Sequence, residues 1–322
     1  MNQLLRLLLP FALLQSVAIA GNQNPDTDWF SQAGYGLFMH CLPSNKQQLE
    51  QLNDFDVDRL AREIQESGAQ YFIITLGQNS GYFISPNTTY DEQAGYSAGA
   101  RCSTRDLPLD LYAALQSRGI RLLLYLPCQA PNRDPAAQRA FGLPEGPADQ
   151  PLTLDFARRW AAVIQEWSDR YGDKVSGWWF DGAYNHVRFD ESVAQLYAKA
   201  ARHGNPHAIV SFNPGVRVIR HTQTEDYTAG ELNEPLDQLP SSRWLEGSQW
   251  HALTYLGSNW GQPDTRYTPT QWAAWINAVM QTQGVVSLDI ALEWAPADRP
   301  LGSLQPDQMQ QLLGIRKLLT TR

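Results

Sequence analysis

The 322-residue sequence predicts an α/β fold, a TIM-like (β/α)8-type barrel, regular or irregular, in one domain, and three observations lead there. Short runs of β-branched, aromatic and aliphatic residues alternate with helical patterns along most of the chain. The runs are apolar almost throughout, as strands of a parallel sheet covered on both faces must be. No glycine-rich phosphate turn follows the first run, where Met39-His40-Cys41-Leu42-Pro43 stands instead, and this selects a closed barrel over an open doubly wound sheet.

Each element has its own warrant. Tyr35-Gly-Leu-Phe-Met-His40 is a first short strand. Residues 56–65 form an amphipathic helix, with Asp56 as N-cap and Gly68 as its stop. Tyr71-Phe-Ile-Ile-Thr-Leu76 is the second strand, residues 108–117 a helix ending at Gly119, and Ile120-Arg-Leu-Leu-Leu-Tyr-Leu126 the third strand. A long helix over 152–171 precedes Val175-Ser-Gly-Trp-Trp-Phe180, which stops at Asp181-Gly182. A helix over 191–202 leads to Ala208-Ile-Val-Ser-Phe212. Helix 269–281, strand 285–290 and helix 306–319 close the chain. Long loops are expected at 77–106, 127–150 and 213–253, on the rim where barrels carry their chemistry.

Residues 1–20 read as a secretory signal peptide, not as part of the fold. Arg6 supplies a positive start, residues 7–19 are largely apolar, and Ala18-Ile19-Ala20 is a small-x-small cleavage site. The mature chain, residues 21–322, is expected outside the cytoplasm, secreted or periplasmic, with no further stretch long enough to span a bilayer. The net charge is −8 with no basic run, which argues against nucleic-acid or anionic-membrane partners. Eleven tryptophans and thirteen tyrosines in an exported, mildly acidic chain favour an oligosaccharide or glycoconjugate as the partner. Nothing specifies an oligomeric state.

Cys41, Cys102 and Cys128 are too few and too odd in number for a disulfide scaffold, and no CxxC suggests zinc, although one disulfide at a barrel rim is open to an exported chain. The six histidines (His40, His186, His203, His207, His221, His251) form no HxH or HExxH spacing, so no metal or other cofactor is implied. No GxSxG elbow supports serine-hydrolase chemistry. Asn87-Thr88-Thr89 is a glycosylation sequon if the host is eukaryotic.

Asp181 is the leading catalytic candidate. A buried strand that ends in Asp-Gly delivers a carboxylate to the carboxyl edge of the sheet; a helix or turn cap is the alternative use of such an acid. Past other strand ends lie His40, Gln78, Asn79, Gln129 and Asn213, which converge on the same mouth if the sheet closes. Amides, an imidazole and a carboxylate among Trp and Tyr suit a hydroxyl-rich ligand. Glycoside hydrolysis needs a second carboxyl group, for which Glu225, Glu231, Glu234, Glu246 and Glu293 are available.

The segments also resemble one family in order. Trp29-Phe-Ser-Gln-Ala-Gly-Tyr-Gly-Leu-Phe-Met-His40, Gly68-Ala-Gln-Tyr-Phe-Ile-Ile-Thr75, Ser103-Thr-Arg-Asp106, Gly119-Ile-Arg-Leu-Leu-Leu-Tyr125, Trp179-Phe-Asp-Gly182, Trp244-Leu-Glu246, Ser258-Asn-Trp-Gly261 and Gly284-Val-Val-Ser-Leu-Asp-Ile290 are similar to successive stretches of α-L-fucosidases of glycoside hydrolase family 29. The resemblance implies a secreted retaining exo-glycosidase with Asp181 as nucleophile. The acid/base ranks as Glu246, then Glu231, then Glu225. With the strand-end residues above, the candidate substrate contacts are His40, Gln78, Asn79, Tyr125, Gln129, Trp179, Asn213 and Trp260. Three departures accompany the resemblance: Gln78-Asn-Ser-Gly-Tyr82 replaces a His-His-Asp-Gly-Phe motif, Cys41 replaces a tryptophan, and Asp289 replaces an asparagine. A β-sandwich domain often follows the barrel in that family, and this sequence ends with the barrel. The altered motif leaves the sugar open. With the unassigned second carboxyl group, it motivates a competing reading, a non-catalytic glycan-binding protein on a hydrolase-like barrel; a transglycosylase would use the same residues as the hydrolase.

Overall fold

The structure is a computed structural model that describes residues 23–129, 131–143 and 151–319. The signal peptide expected at 1–20 lies outside the described residues. In chain order the strands are β1 (Tyr35–Met39), β2 (Tyr71–Thr75), β3 (Arg121–Pro127), β4 (Val175–Asp181), β5 (Ile209–Phe212), β6 (Trp244–Leu245), β7 (Ser248–Gln249), β8 (His251–Tyr255) and β9 (Val285–Ile290). The helices are α1 (Asp28–Ala33), α2 (Lys46–Gln51), α3 (Val57–Ser67), α4 (Thr88–Ala94), α5 (Leu107–Gln116), α6 (Pro135–Phe141), α7 (Leu154–Tyr171), α8 (Glu191–Ala201), α9 (Pro269–Gln281) and α10 (Pro306–Leu319).

Seven strands curl into one parallel sheet in the order β5-β4-β3-β2-β1-β9-β8. The gap between β5 and β8 is closed by residues 226–232, which bond to both sides without forming a regular strand. Asp226 donates its backbone N–H to Val210 at 2.8 Å on the β5 side. On the β8 side Tyr227 bridges Gln249 and Glu231 bridges Leu253, both parallel. The fold is therefore the expected barrel, completed by an irregular segment.

Local chemistry sets the element ends. Asp56, Asp106, Thr153 and Asp190 each accept a hydrogen bond from a first-turn backbone N–H as N-caps. Gly68 ends α3 at φ 85°, in the left-handed region open to glycine. Because the strands alternate, β4 sends Trp178 and Phe180 outward into the helix layer and Trp179 inward. The barrel interior holds Phe30, Phe38, Tyr71, Ile73, Leu123, Tyr125, Trp179, Ile209 and Tyr227. Phe30 on α1 plugs the amino-terminal end, with ring centroids 4.9 Å from Tyr71 and 5.0 Å from Tyr227. Chemistry is thus confined to the carboxyl rim.

Three expectations need correction. The stretch 213–253 is not a plain loop: it holds the β6–β7 hairpin and the start of β8. Polar His251 and Thr254 interrupt the apolar run of β8, and both are satisfied internally. Thr254 donates to Leu232 O at 2.6 Å, and His251 Nδ1 lies 2.9 Å from Thr228 O. Cys41, Cys102 and Cys128 are free and buried, and none pairs; burial pushes each thiol above its usual range, against a reactive thiolate. Asn87 is buried, donates to Val163 O at 3.0 Å and caps α4, so this sequon is part of the core packing and not a surface acceptor.

Candidate active site

At the carboxyl rim the strand ends enclose a cavity of about 360 Å³ whose walls include His40, Gln78, Tyr125, Trp179, Asp181, Tyr184, Glu231 and Trp260. Parallel register brings them together: Tyr125 lies opposite Trp179, Pro127 opposite Asp181, and Phe38 opposite Asp289.

Asp181 sits at the end of β4 and receives two hydrogen bonds. Tyr125 donates to Oδ2 at 2.6 Å and Asn213 donates from Nδ2 to Oδ1 at 2.9 Å. Gln78 donates from Nε2 to the Tyr125 hydroxyl oxygen at 2.5 Å, which leaves the tyrosine's proton for Asp181. Burial, and after it the charge of Asp181, pushes the Tyr125 hydroxyl well above its usual range, so it stays a donor. The ring of Tyr125 stacks on Trp179 at 5.3 Å, and the Trp179 indole donates to Ala229 O at 3.0 Å, fixing both aromatic walls.

Glu231 enters from the segment that closes the barrel. The Asn213 amide nitrogen that bonds Asp181 also donates to Glu231 Oε2, at 2.6 Å. Desolvation raises the Glu231 carboxyl above the usual carboxylate range. The Asn213 hydrogen bond opposes this, Asp181 adds to the rise, and His40 counters it. Asn213 is itself fixed by the backbone, with its N–H on Phe180 O at 2.7 Å and its carbonyl accepting from Ala183 at 2.8 Å.

His40 completes the wall. Its Nδ1 lies 3.0 Å from Asp289 Oδ1, and its ring meets Tyr125 and Trp260 edge-on at 6.1 and 5.8 Å. Burial works against the imidazolium, but the charge and hydrogen bond of Asp289, with Asp181 and Glu231 behind them, outweigh it and raise the His40 pKa.

Not all expected residues meet here. Glu246, ranked first among the glutamates, is exposed at the tip of the β6–β7 hairpin with φ 52°, and does not line the cavity. The Leu245 inserted after Trp244 forms the strand end, and Glu246-Gly247 makes the two-residue turn. Glu225 is buried away from the cavity, its Oε1 accepting from the His221 backbone at 2.7 Å. Asn79 follows inward-facing Gln78 and is absent from the cavity wall; its backbone carbonyl accepts from Arg133 at 2.9 Å. Gln129 is buried outside the cavity. Two residues were not anticipated as contributors. Tyr184 reaches the wall from the turn after Asp181, and Asp289, noticed only as a replaced asparagine, holds His40. Among the described residues no group of three or more acidic, histidine or cysteine side chains is placed to hold a metal ion.

Solved structures share this architecture. An endo-fucoidan hydrolase of glycoside hydrolase family 107, MfFcnA4, aligns with a TM-score of 0.73 and 16% identity, covering 94% of this chain and 54% of that one. Alpha-L-fucosidase AlfC from Lactobacillus casei, in complex with alpha-L-fucose, gives 0.65 and 17%, covering 92% of this chain and 98% of that one. A bacterial fucosidase with a phenyl-triazole dihydroxy-methylpyrrolidine inhibitor gives 0.66 and 15%, covering 92% and 73%. At such identities the likeness is one of fold, and this chain spans little more than half of the fucoidan hydrolase it matches. No curated protein sequence matches. The alpha-L-fucosidase family profile matches residues 44–320, most of the sequence, and the chain therefore belongs to the alpha-L-fucosidase family of glycoside hydrolases.

Proposed function

We propose that this protein is an exported retaining exo-glycosidase, acting on a terminal α-L-fucosyl residue or a sugar of similar shape, with Asp181 as nucleophile and Glu231 as acid/base. The observation that carries the reading is the shared donor. One nitrogen within 2.9 Å of an Asp181 oxygen and 2.6 Å of a Glu231 oxygen holds those oxygens within about 5.5 Å of each other, and retaining enzymes keep their two carboxyl groups about 5–5.5 Å apart.

In the first step an Asp181 oxygen attacks the anomeric carbon while the bond to the leaving oxygen breaks, and Glu231 gives its proton to that oxygen. In the second, Glu231 takes a proton from water, the water oxygen attacks the anomeric carbon, and the Asp181 ester bond breaks. The raised Glu231 pKa suits an acid that must hold its proton until the leaving group needs it. Trp179, Trp260 and Tyr125 offer apolar faces to a sugar ring, and His40 and Gln78 offer polar groups to its hydroxyls. Export follows from the leader-like residues 1–20. No helix among the described residues is long and apolar enough to cross a membrane.

The test is a panel of aryl α- and β-glycosides, α-L-fucosides included, with the anomer first released read by NMR. Turnover with retention, lost in Asp181→Ala and Glu231→Ala, supports the proposal; inversion overturns it. Binding of a glycan that is never cleaved favours a non-catalytic lectin-like role instead.

A further inference from the structure

Asp289 in β9 is 1% exposed and takes hydrogen bonds from two separate parts of the chain. His40 Nδ1 lies 3.0 Å from its Oδ1, and the Gly261 backbone N–H donates to its Oδ2 at 2.7 Å. A carboxylate has an acceptor for each donor. An asparagine in the same place could accept from only one of them and would turn its NH2 group toward the other, so with its oxygen on Gly261 N–H it could keep His40 only as an Nδ1 acceptor, in the Nε2–H tautomer. The aspartate at this position is therefore matched to its two partners.

Both partners belong to the cavity wall: His40 follows β1, and Gly261 follows Trp260, whose ring lies 5.8 Å from the imidazole. We infer that Asp289 is a positioning residue for substrate binding: it ties His40 and the Trp260-Gly261 turn into one wall and leaves His40 Nε2 as the ring nitrogen presented to a sugar hydroxyl. This deepens the glycosidase reading and rests on it.

The groups facing the imidazole come from every neighbouring element. They are Asp289 on β9, Asp181 on β4 and Glu231 on the closing segment, with Tyr125 on β3 contributing an aromatic edge. Three carboxyl groups around one imidazole keep it charged to a higher pH than an isolated histidine. His40 then donates through Nε2 where a free histidine has lost that proton.

Nitrogen-15 NMR of the histidine rings in the full protein tests the inference, with Asp289→Asn compared under the same conditions and its fold checked by circular dichroism. Neutral His40 in the wild type should be the Nδ1–H tautomer. In D289N its pKa should fall. On whichever glycoside is turned over, KM should rise about tenfold with kcat within about threefold of wild type. An Nε2–H tautomer in the wild type, or a His40 titration unchanged in D289N, overturns the inference. The wild-type tautomer decides alone if D289N does not fold. The NMR result stands whether or not the protein cleaves any glycoside, so failure of the enzymatic reading is seen separately in the absence of turnover.

Discussion

Asp181 and Glu231, 50 positions apart in sequence, are joined through a single nitrogen, the Asn213 amide, which donates 2.9 Å to one and 2.6 Å to the other. In the proposed mechanism the nucleophile and the acid/base need different protonation states within a few ångströms. Here one neutral donor separates two acids that would otherwise repel when both are ionised. The β4 strand end, the Asn213 turn after β5 and the irregular segment that stands in for a strand bring these three side chains together.

Removing Asn213 should alter both rate and pH dependence. Its hydrogen bond opposes the rise in the Glu231 pKa, so Asn213→Ala should raise that pKa further. The alkaline limb of the activity profile reports loss of the Glu231 proton, and it should move to higher pH. At the optimum, kcat/KM should fall about 10–100-fold, as for lost hydrogen bonds to charged groups. A pH profile of kcat/KM for wild type and N213A checks both.

Glu246 should be dispensable for chemistry. It is exposed and holds φ 52° in a two-residue turn with Gly247 at φ 93°, a conformation asparagine tolerates better than glutamate. Glu246→Asn should leave kcat/KM within about twofold and stabilise the fold by about 0.5 kcal/mol. Chemical denaturation beside steady-state kinetics measures both; loss of activity in this variant would return Glu246 to the site.

Gly230 is required for Glu231 to be where it is. At φ 68° it lies so close to β8 that an added Cβ would fall 1.9 Å from the His251 carbonyl oxygen. Gly230→Ala should displace the closing segment, destabilise by about 1–3 kcal/mol and reduce activity far more than that loss of folded protein explains. A folded G230A with full activity would contradict the placement of Glu231.

Stability should depend on pH through His251. Desolvation lowers its pKa to about 4, and its ring is enclosed between Thr228 O and Ser287 Oγ, each at 2.9 Å. The unfolded chain binds the proton near pH 6.5 and the folded one near pH 4, so the unfolded state gains protons first as pH falls. This contribution is present above pH ~6.5, is lost progressively down to pH ~4, and is on the order of 3 kcal/mol. Urea unfolding across that window should show the slope in wild type, and a folded His251→Asn should lack most of it.

The barrel was legible because its strands announce themselves. Tyr71-Phe-Ile-Ile-Thr is buried throughout and the leucine-rich third strand is buried after Arg121, and their length and punctuation match parallel strands. Asp181 was legible for the same reason, as an acid at the end of such a strand. β8 was not, because His251 and Thr254 break its pattern and their partners lie in the distant segment 226–232. Glu231 stood behind Glu246 because a Trp-x-Glu string is local, whereas the path that carries Glu231 to Asn213 depends on tertiary bridges to β8. The glycine just before Glu231 was the available signal, since it marks a close backbone approach. Asp289 was visible only as a departure; its two partners come from the residue after β1 and from the Trp260-Gly261 turn.

The central claim is that Asp181 becomes covalently bound to the sugar while Glu231 serves the leaving group and water. The most direct measurement is to trap the protein with an activated 2-deoxy-2-fluoro glycoside of the sugar it cleaves and map the labelled peptide by mass spectrometry. The account predicts a stoichiometric ester on Asp181, absent in Asp181→Ala and still formed in Glu231→Gln when the leaving group needs no acid. A label on any other residue, or turnover with no covalent species, would contradict it.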